Sequence, residues 1–408
     1  MPTFSEIYPT CLLLIGFLVT GLLLLRRYPL PDDVSTRDIQ VDGLRALLAF
    51  GVALWHYFMI RDVIHVNELL WRSANVSKVI LLTSSWPVQM FFAITAYLFS
   101  SRFGSKGCLG ISWLKFYVGR CFRLIPVCIL CSVIIFLLMN DVFFDRSTGA
   151  NTTENWLNLA NLGTSSIRKG PGYLGNPRNA EWNFTVPIGV HWTLHYEWLF
   201  YALLPVLASV RRLTKVFWLC VSFAMVTFIM KDGKDFFADW ETTTWAFVPG
   251  LILGLTSKYW KHNTYLRHPI TAGVAMTTVI TSAFYSNLYV KIPANTLFLA
   301  VILCNNTATR CLESKLLRSM GETTYSIYLL HGIVQYINLK WIVTIPIARD
   351  MPEWLWWLTC TLQIVVIVII ARLSFEYVEK PGVKSGKRFY SCFMNLIERR
   401  APWLMRWI

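Results

Sequence analysis

The segment 43–60 reads GLRALLAFGVALWHYFMI and contains one charged residue, Arg45, and one histidine, His56. A helix needs about 20 mostly apolar residues to cross a bilayer, so this run predicts a transmembrane helix. Ten further runs have the same character, and together they predict an all-α, polytopic membrane protein with about 11 transmembrane helices. The eleven predicted spans lie near 9–25, 43–60, 80–101, 116–139, 191–210, 215–230, 242–257, 268–286, 292–304, 322–339 and 354–371.

The composition supports a membrane protein and argues against a nucleic-acid-binding one. Of the 408 residues, 55% are hydrophobic and only 15% are charged, whereas soluble proteins carry about 25% charged residues. The formal net charge of +15 is typical of proteins that bind nucleic acid. Here, however, the basic residues are sparse and lie between long apolar runs, so we expect no nucleic-acid partner.

The basic residues predict the orientation of the chain in the membrane. With the amino terminus outside and eleven spans, the predicted inner segments hold 24 of the 38 Lys and Arg residues, and the outer segments hold 12. Segments on the cytoplasmic side of a membrane are enriched in Lys and Arg. The sequence therefore predicts a cytosolic carboxyl terminus, and the plasma (inner) membrane is the first expectation for the location.

Three ionisable residues at membrane depth predict a catalytic site. Arg45 and His56 are eleven residues apart, which is about three helical turns, so both project from one stripe about 16 Å apart. Glu197 lies in the predicted span 191–210, at a depth similar to that of His56. A carboxylate beside an imidazole orients the ring and raises its basicity. The alternatives are a snorkelling arginine, a packed histidine and a structural ion pair.

A second basic cluster is predicted at the inner edge of the membrane. Arg120 and Arg123 share one face of the span 116–139, and with Lys115, Arg102 and Arg45 they would form a basic rim. Such a rim suits the phosphates of a cytosolic donor. Ordinary inner-side charge is the better interpretation for Lys115 and Arg102.

Other histidines and cysteines give weaker signals. His191 and His195 are one turn apart, but no third ligand at metal spacing follows, and an interfacial location explains them better. Cys128 and Cys131 have the spacing of a redox or metal pair, yet they lie alone in an apolar run, where packing is the better interpretation. His331 predicts either a helix–helix hydrogen bond or a pocket wall. We therefore predict no metal site.

Six stretches, in order along the chain, carry a recognisable set of motifs. They are Asp42–Ala46 through His56, the segment FFAITAYL at 91–98, Phe116-Tyr117 through Arg120, Arg123 and Pro126, the segment WTLHYEWLFY at 192–201, Tyr325-Ser326 through His331, and Glu379-Lys380-Pro381. From about residue 41 to 390, this pattern resembles the acyltransferase-3 family of integral-membrane O-acyltransferases. One departure is Thr95-Ala96-Tyr97, where the family has Ser-Gly-Phe.

The resemblance implies a fold, a reaction and roles for residues. The family has a ten-helix core, so the span 9–25 would be an addition before it. Its members move acetyl or other acyl groups, usually from a cytosolic acyl-CoA, to hydroxyls of glycans or small molecules. By resemblance, the catalytic residues are His56 and Glu197, and the substrate-binding residues are Arg45, Arg120, Arg123, Trp192, Tyr201 and His331.

The same resemblance divides the chain into three parts. Residues 1–40 would be an amino-terminal transmembrane helix with a cytosolic linker, 41–380 the acyltransferase membrane domain, and 381–408 a basic cytosolic tail. The long polar loop 140–190 faces outward in this topology, as a lid or as a solvated connector.

The sequence thus predicts an O-acyltransferase with acyl-CoA, first of all acetyl-CoA, as donor co-substrate and no bound cofactor. The partners are the lipid bilayer, acyl-CoA and a hydroxyl acceptor, which we expect to be a carbohydrate on the outer side. A small lipophilic metabolite is the second choice of acceptor. His56 acts either as a general base or through a transient acyl-histidine. A proton- or anion-coupled transporter and a non-catalytic scaffold are the rival classes.

Overall fold

The computed structural model describes residues 4–29, 38–66, 78–106, 112–138, 192–209, 245–285 and 288–400. The regular structure in these residues is helical, and no strand occurs among them, which confirms the predicted all-α class. The predicted span 215–230, the loop 140–190 and His191 lie outside the described residues.

The helices are numbered here in chain order. They are α1 Phe4–Arg27, α2 Ile39–Val66, α3 Lys78–Lys106, α4 Trp113–Leu138, α5 Trp192–Ser209, α6 Val248–Leu255, α7 Ser257–Trp260, α8 Thr264–Arg267, α9 Pro269–Ser282, α10 Leu288–Leu303, α11 Lys315–Glu322, α12 Thr324–Ile337, α13 Ile345–Asp350, α14 Glu353–Ser374 and α15 Lys380–Arg400. A 3₁₀ turn covers Thr307–Glu313, and π-helical turns cover Asn338–Ile342 and Phe375–Glu379.

Several described helices are long and apolar enough to cross a membrane. They are Ile7–Arg27, Ile39–Asp62, Trp113–Leu138 and the continuous stretch Glu353–Arg400. Ten of the eleven predicted spans overlap a described helix, but only four described helices have spanning length and hydropathy. The chain therefore has the character of a multi-pass membrane protein, and the count of eleven stays a prediction.

Two predicted elements differ in detail from the structure. The predicted span 322–339 is interrupted at Thr323, where α11 ends and α12 begins. The stretch 381–408, predicted as a basic tail, is helical as far as Arg400, because α14 continues through a π-helical turn into α15.

The chain divides into two compact units. The first is Met1–Gly107, Val206–Thr324 and Val343–Val368, and the second is Cys108–Pro205, Tyr325–Ile342 and Ile369–Ile408. In the first unit α2 packs against α3 and α11, while α3 also packs against α6. In the second unit α4 packs along α15.

A hydrophobic cluster in the second unit joins α4, α5 and α12. Its buried members are Val127, Cys128, Cys131, Ile135, Leu194, Leu329, Leu330 and Ile333. Both cysteines of the predicted pair are thus buried among aliphatic side chains, as the packing interpretation expects. Burial of such a cluster fixes which face of each helix is turned to the others, and so which residues are left for a site.

Gly250 allows the closest approach between α6 and α3. A Cβ at this position would clash with the carbonyl oxygen of Ala93 and lie 2.7 Å from the backbone nitrogen of Tyr97. We expect Gly250→Ala to lower the free energy of unfolding by about 1–3 kcal/mol, because backbone atoms cannot move aside as a flexible side chain can. Thermal unfolding in detergent, followed by tryptophan fluorescence, measures the loss.

Gly273→Ala is the matched control for this substitution. A Cβ at Gly273, in α9, has no described heavy atom within 4 Å, and alanine favours a helix over glycine by up to about 1 kcal/mol. The melting temperature of this variant should be unchanged or higher. Equal decreases in melting temperature for Gly250→Ala and Gly273→Ala would contradict the close approach of α6 to α3 at Gly250.

Candidate active site

Helix α2, in the first unit, carries Arg45 and His56, which are the cation and the imidazole predicted from the sequence. It is one unbroken helix over Ile39–Val66, so Arg45 and His56 do share one stripe, about 16 Å apart along the axis. Both residues are half-buried. Arg45 Nη1 lies 3.8 Å from Asp42 Oδ1, an ion pair that offsets part of the cost of holding the cation near the membrane.

A buried amide network also lies in the first unit, and the sequence reasoning missed it. Trp86 Nε1 donates to Asn295 Oδ1 at 3.0 Å, and Asn295 Nδ2 donates to Gln89 Oε1 at 3.2 Å. Gln89 and Asn295 are buried. Neutral amides at membrane depth hold helices together through such bonds, and only the apolar context of the two residues could have pointed to them.

In the second unit, α4 and α5 bring three predicted residues together. The hydroxyl of Tyr201 donates to Glu197 Oε1, one helical turn away. The guanidinium carbon of Arg120 lies 5.9 Å from the centre of the Tyr201 ring and 5.8 Å from that of Phe116, within the range of cation–π attraction. The cation of Arg120, the ring of Tyr201 and the carboxylate of Glu197 are therefore in contact one after another.

A further contact holds the backbone of α5 next to these three side chains. The Tyr117 hydroxyl donates to the backbone carbonyl of Tyr201 at 2.9 Å. Arg123 follows Arg120 by three residues on α4, so the two arginines predicted from the sequence lie on one face of that helix.

Helix α12 adds two tyrosines that are not among the site residues predicted from the sequence. The Tyr325 hydroxyl donates to the Leu124 carbonyl and lies 3.1 Å from Cys128 Sγ. The Tyr328 hydroxyl lies 3.0 Å from Thr193 Oγ1. The spacing of three residues between the two tyrosines on an amphipathic helix was the available sequence signal.

His331 lies on the same helix and is buried. Its Nδ1 donates to the Ile327 carbonyl at 3.1 Å. Since that nitrogen carries the hydrogen, Nε2 is the basic nitrogen of the neutral ring. This bond lies within α12, so the helix–helix hydrogen bond and the pocket wall predicted for His331 both stay predictions.

The predicted residues are divided between the two units. Arg45 and His56 belong to the first unit, whereas Arg120, Arg123, Glu197, Tyr201 and His331 belong to the second. Trp192 is the first residue of α5 and His195 lies one turn further on, but their side chains lie outside the described part, as does that of Arg102. Among the described residues, no group of three His, Cys, Asp or Glu side chains is arranged to hold a metal ion.

Comparison with known proteins gives one clear result. The model of the acyltransferase-3 family, described as an acyltransferase domain, matches residues 38–373. This match covers more than half of the chain and contains every site residue predicted above. No curated protein and no solved structure matches the chain.

Proposed function

Since the chain belongs to the acyltransferase-3 family of membrane O-acyltransferases, we propose that it moves an acetyl group from acetyl-CoA to a hydroxyl of a carbohydrate. The observation that carries the proposal is the stripe on α2, where Arg45 and His56 lie on one side of an unbroken helix. A guanidinium suits phosphate, and an imidazole suits proton transfer from a hydroxyl at neutral pH.

In the proposed reaction, His56 takes the proton of the acceptor hydroxyl as its oxygen attacks the thioester carbonyl. The carbon–sulfur bond then breaks, and the imidazolium returns the proton to the departing CoA thiolate. In the two-step variant, the imidazole attacks the thioester carbonyl, the carbon–sulfur bond breaks and CoA leaves. The acceptor hydroxyl then attacks the acyl-histidine, which breaks the carbon–nitrogen bond, and the released imidazole takes the proton of the hydroxyl. Arg45, Arg120 and Arg123 are proposed to contact the phosphates of the donor, and Glu197 to supply a negative charge on which the reaction depends.

The proposed topology has eleven transmembrane helices in the plasma membrane and a cytosolic carboxyl terminus. It is supported by the inner-side excess of Lys and Arg in the sequence. The proposal therefore has the donor reach the protein from the cytosol, while the acceptor reaches it from the outer side. Residues 1–40 and 381–408 are proposed to flank the catalytic membrane domain 41–380.

The test of this function uses the purified chain in proteoliposomes. Labelled acetyl-CoA is supplied together with a panel of sugars, and both acetylated sugar and free CoA are measured. Transfer to sugar with stoichiometric release of CoA is the expected result. Solute flux without CoA release would instead identify a transporter, and neither activity would indicate a scaffold.

Arg123 provides a specific prediction about the donor. We expect Arg123→Ala to raise the KM for acetyl-CoA about tenfold or more and to change the KM for the acceptor much less. The reason is that a charge-assisted hydrogen bond to phosphate contributes about 1.5–3 kcal/mol. Steady-state kinetics with each substrate varied in turn measure both constants.

Arg310→Ala is the control for Arg123→Ala. Arg310 is exposed and lies in the 3₁₀ turn of a predicted inner segment, so its loss should leave both constants unchanged. If the donor constant stays at the wild-type value in Arg123→Ala, Arg123 has no part in donor binding.

A further inference from the structure

Three polar side chains lie on one face of α12 and the π-helical turn that continues it. His331, Gln335 and Asn338 are spaced four and three residues apart, which places them one above another on a helix. They are 1%, 1% and 6% exposed. We call this set the polar stripe.

The polar stripe and the aliphatic members of the cluster on α12 project from different sides of the helix. Leu329 and Ile333 belong to the cluster, and Tyr328, which packs against it, borders the stripe. At about 100° per residue, Leu329 and Ile333 project from the side opposite His331 and Gln335. Packing in the cluster therefore does not require polar side chains on the stripe, and a different reason is needed for them.

The amides of the stripe have unmet hydrogen-bonding capacity. Within the part of the chain that the structure describes, both Gln335 Oε1 and Gln335 Nε2 lack a hydrogen-bond partner, and so does Asn338 Nδ2. Buried amide groups are nearly always hydrogen-bonded, because an unpaired one loses its water without compensation. Two such residues in adjacent turns, beside a histidine, indicate groups that are satisfied by a bound ligand.

The hydrogen-bonding pattern of the stripe identifies the class of ligand. Gln335 Nε2 and Asn338 Nδ2 are donors, whereas Gln335 Oε1 is an acceptor. His331, one turn earlier, has its Nδ1 on the Ile327 carbonyl. Two donors and an acceptor thus lie together within about one turn of helix. Neighbouring hydroxyls of a sugar, each of which both donates and accepts, match this pattern, whereas an aliphatic alcohol has one hydroxyl.

The helical geometry around Asn338 also fits a binding role. Asn338 is the first residue of the π-helical turn Asn338–Ile342, and π-helical turns are frequent at functional sites. In the predicted topology the chain reaches the outer side of the membrane just after residue 339. Asn338 therefore lies toward the side from which a carbohydrate would enter.

We propose that His331, Gln335 and Asn338 bind the acceptor, and that this acceptor is a carbohydrate held through several of its hydroxyls. The inference rests on the proposed acyltransferase function, which it deepens by naming the residues that select the acceptor. It assigns Gln335 and Asn338, which the sequence motifs do not include.

The test compares acceptor kinetics and stability in Gln335→Leu and Asn338→Leu. Acetyl transfer from labelled acetyl-CoA is measured with glucose, galactose, N-acetylglucosamine and, as an apolar acceptor, octanol. We expect each substitution to raise the KM for the sugar that wild type uses by about five- to tenfold, since one or two hydrogen bonds are lost. The KM for acetyl-CoA should change by less than about twofold.

Thermal unfolding separates this role from a structural one. Leucine is close to glutamine in size and removes two buried groups that have no partner among the described residues, so Gln335→Leu should melt at or above the wild-type temperature. A purely structural role predicts the opposite, a lower melting temperature. Gln335→Glu, which keeps an acceptor oxygen, should retain sugar affinity better than Gln335→Leu, whereas Asn338→Asp, which loses the donor Nδ2, should not.

Gln363→Leu is the matched control. Gln363 is a buried glutamine of α14 outside the stripe, and its substitution should leave the sugar KM unchanged. An unchanged sugar KM in both stripe variants would overturn the proposal, as would wild-type transfer to octanol but to no sugar. If wild type consumes no acetyl-CoA, the proposed function fails. The role of the stripe is then decided by stability alone, and a lower melting temperature in Gln335→Leu would overturn it.

Discussion

His56→Ala abolishes acyl transfer while the protein remains folded and inserted in the membrane: this is the largest effect we expect. General base catalysis by a positioned side chain contributes about 10²–10⁴ in rate, and loss of a nucleophilic histidine removes at least as much. His56 lies in the middle of α2, between the buried aromatic residues Trp55 and Tyr57. Packing of these neighbours keeps the ring in place, and alanine introduces no steric conflict.

The measurement is acetyl transfer by purified variants at matched protein concentration. His262→Ala serves as the control, because His262 is exposed and its substitution should retain wild-type turnover. Incubation with labelled acetyl-CoA in the absence of acceptor separates the two mechanisms. A label on His56 in wild type, recovered on a peptide, indicates an acyl-histidine, and its absence at full activity indicates a general base. Transfer by His56→Ala within about tenfold of wild type would exclude both.

The stripe on α2 could be predicted from sequence because it depends on local geometry alone. An apolar run of sufficient length predicts one straight helix, and the spacing of eleven residues then fixes the shared side of Arg45 and His56. The same reasoning applies to Glu197 and Tyr201, which are four residues apart and meet on one turn. Charged residues in apolar runs are also rare enough to be noticed one by one.

The interruption of the predicted span 322–339 follows from interactions that hydropathy does not capture. Thr323 and Thr324 donate their hydroxyls to the carbonyls of Met320 and Gly321, at 2.9 and 2.8 Å, and such bonds compete with the regular helical ones. A Cβ at Gly321 would clash with the Asp42 carbonyl, so α11 and α2 approach backbone to backbone. The tertiary contact therefore fixes where one helix ends and the next begins.

The polar stripe could not be predicted because its amides are uncharged. Gln335 and Asn338 lie at the end of an apolar run, where glutamine and asparagine are ordinary interfacial residues. Only the folded structure gives the two facts that matter, namely their burial and the lack of partners for their amide atoms among the described residues. Both facts depend on packing against distant parts of the chain, and the local periodicity of the sequence does not predict such packing.

Glu197→Gln is expected to reduce kcat at least a hundredfold and to change the KM for acetyl-CoA by less than about threefold. Glutamine keeps an oxygen that accepts the hydrogen bond of Tyr201, so the local geometry persists while the negative charge is lost. Fixed charges in a site that excludes water contribute strongly to stabilising a transition state. Steady-state kinetics give both constants, and Glu353→Gln, at an exposed carboxylate paired with Arg61 at 3.2 Å, is the control for charge removal elsewhere.

Tyr201→Phe decides whether the charge of Glu197 or its hydrogen bond matters. Phenylalanine removes the donated hydrogen bond but keeps an aromatic ring beside Arg120, where the guanidinium carbon lies 5.9 Å from the ring centre. Loss of one hydrogen bond to a charged group corresponds to about 1.5–3 kcal/mol, or about 10- to 150-fold in kcat, and since Glu197 keeps its charge we expect the lower end of this range. If Tyr201→Phe is as damaging as Glu197→Gln, the charge of Glu197 acts through the Tyr201 hydroxyl that donates to it. If Glu197→Gln alone is severe, the reaction depends on the charge, because the amide variant then fails with its hydrogen bond intact.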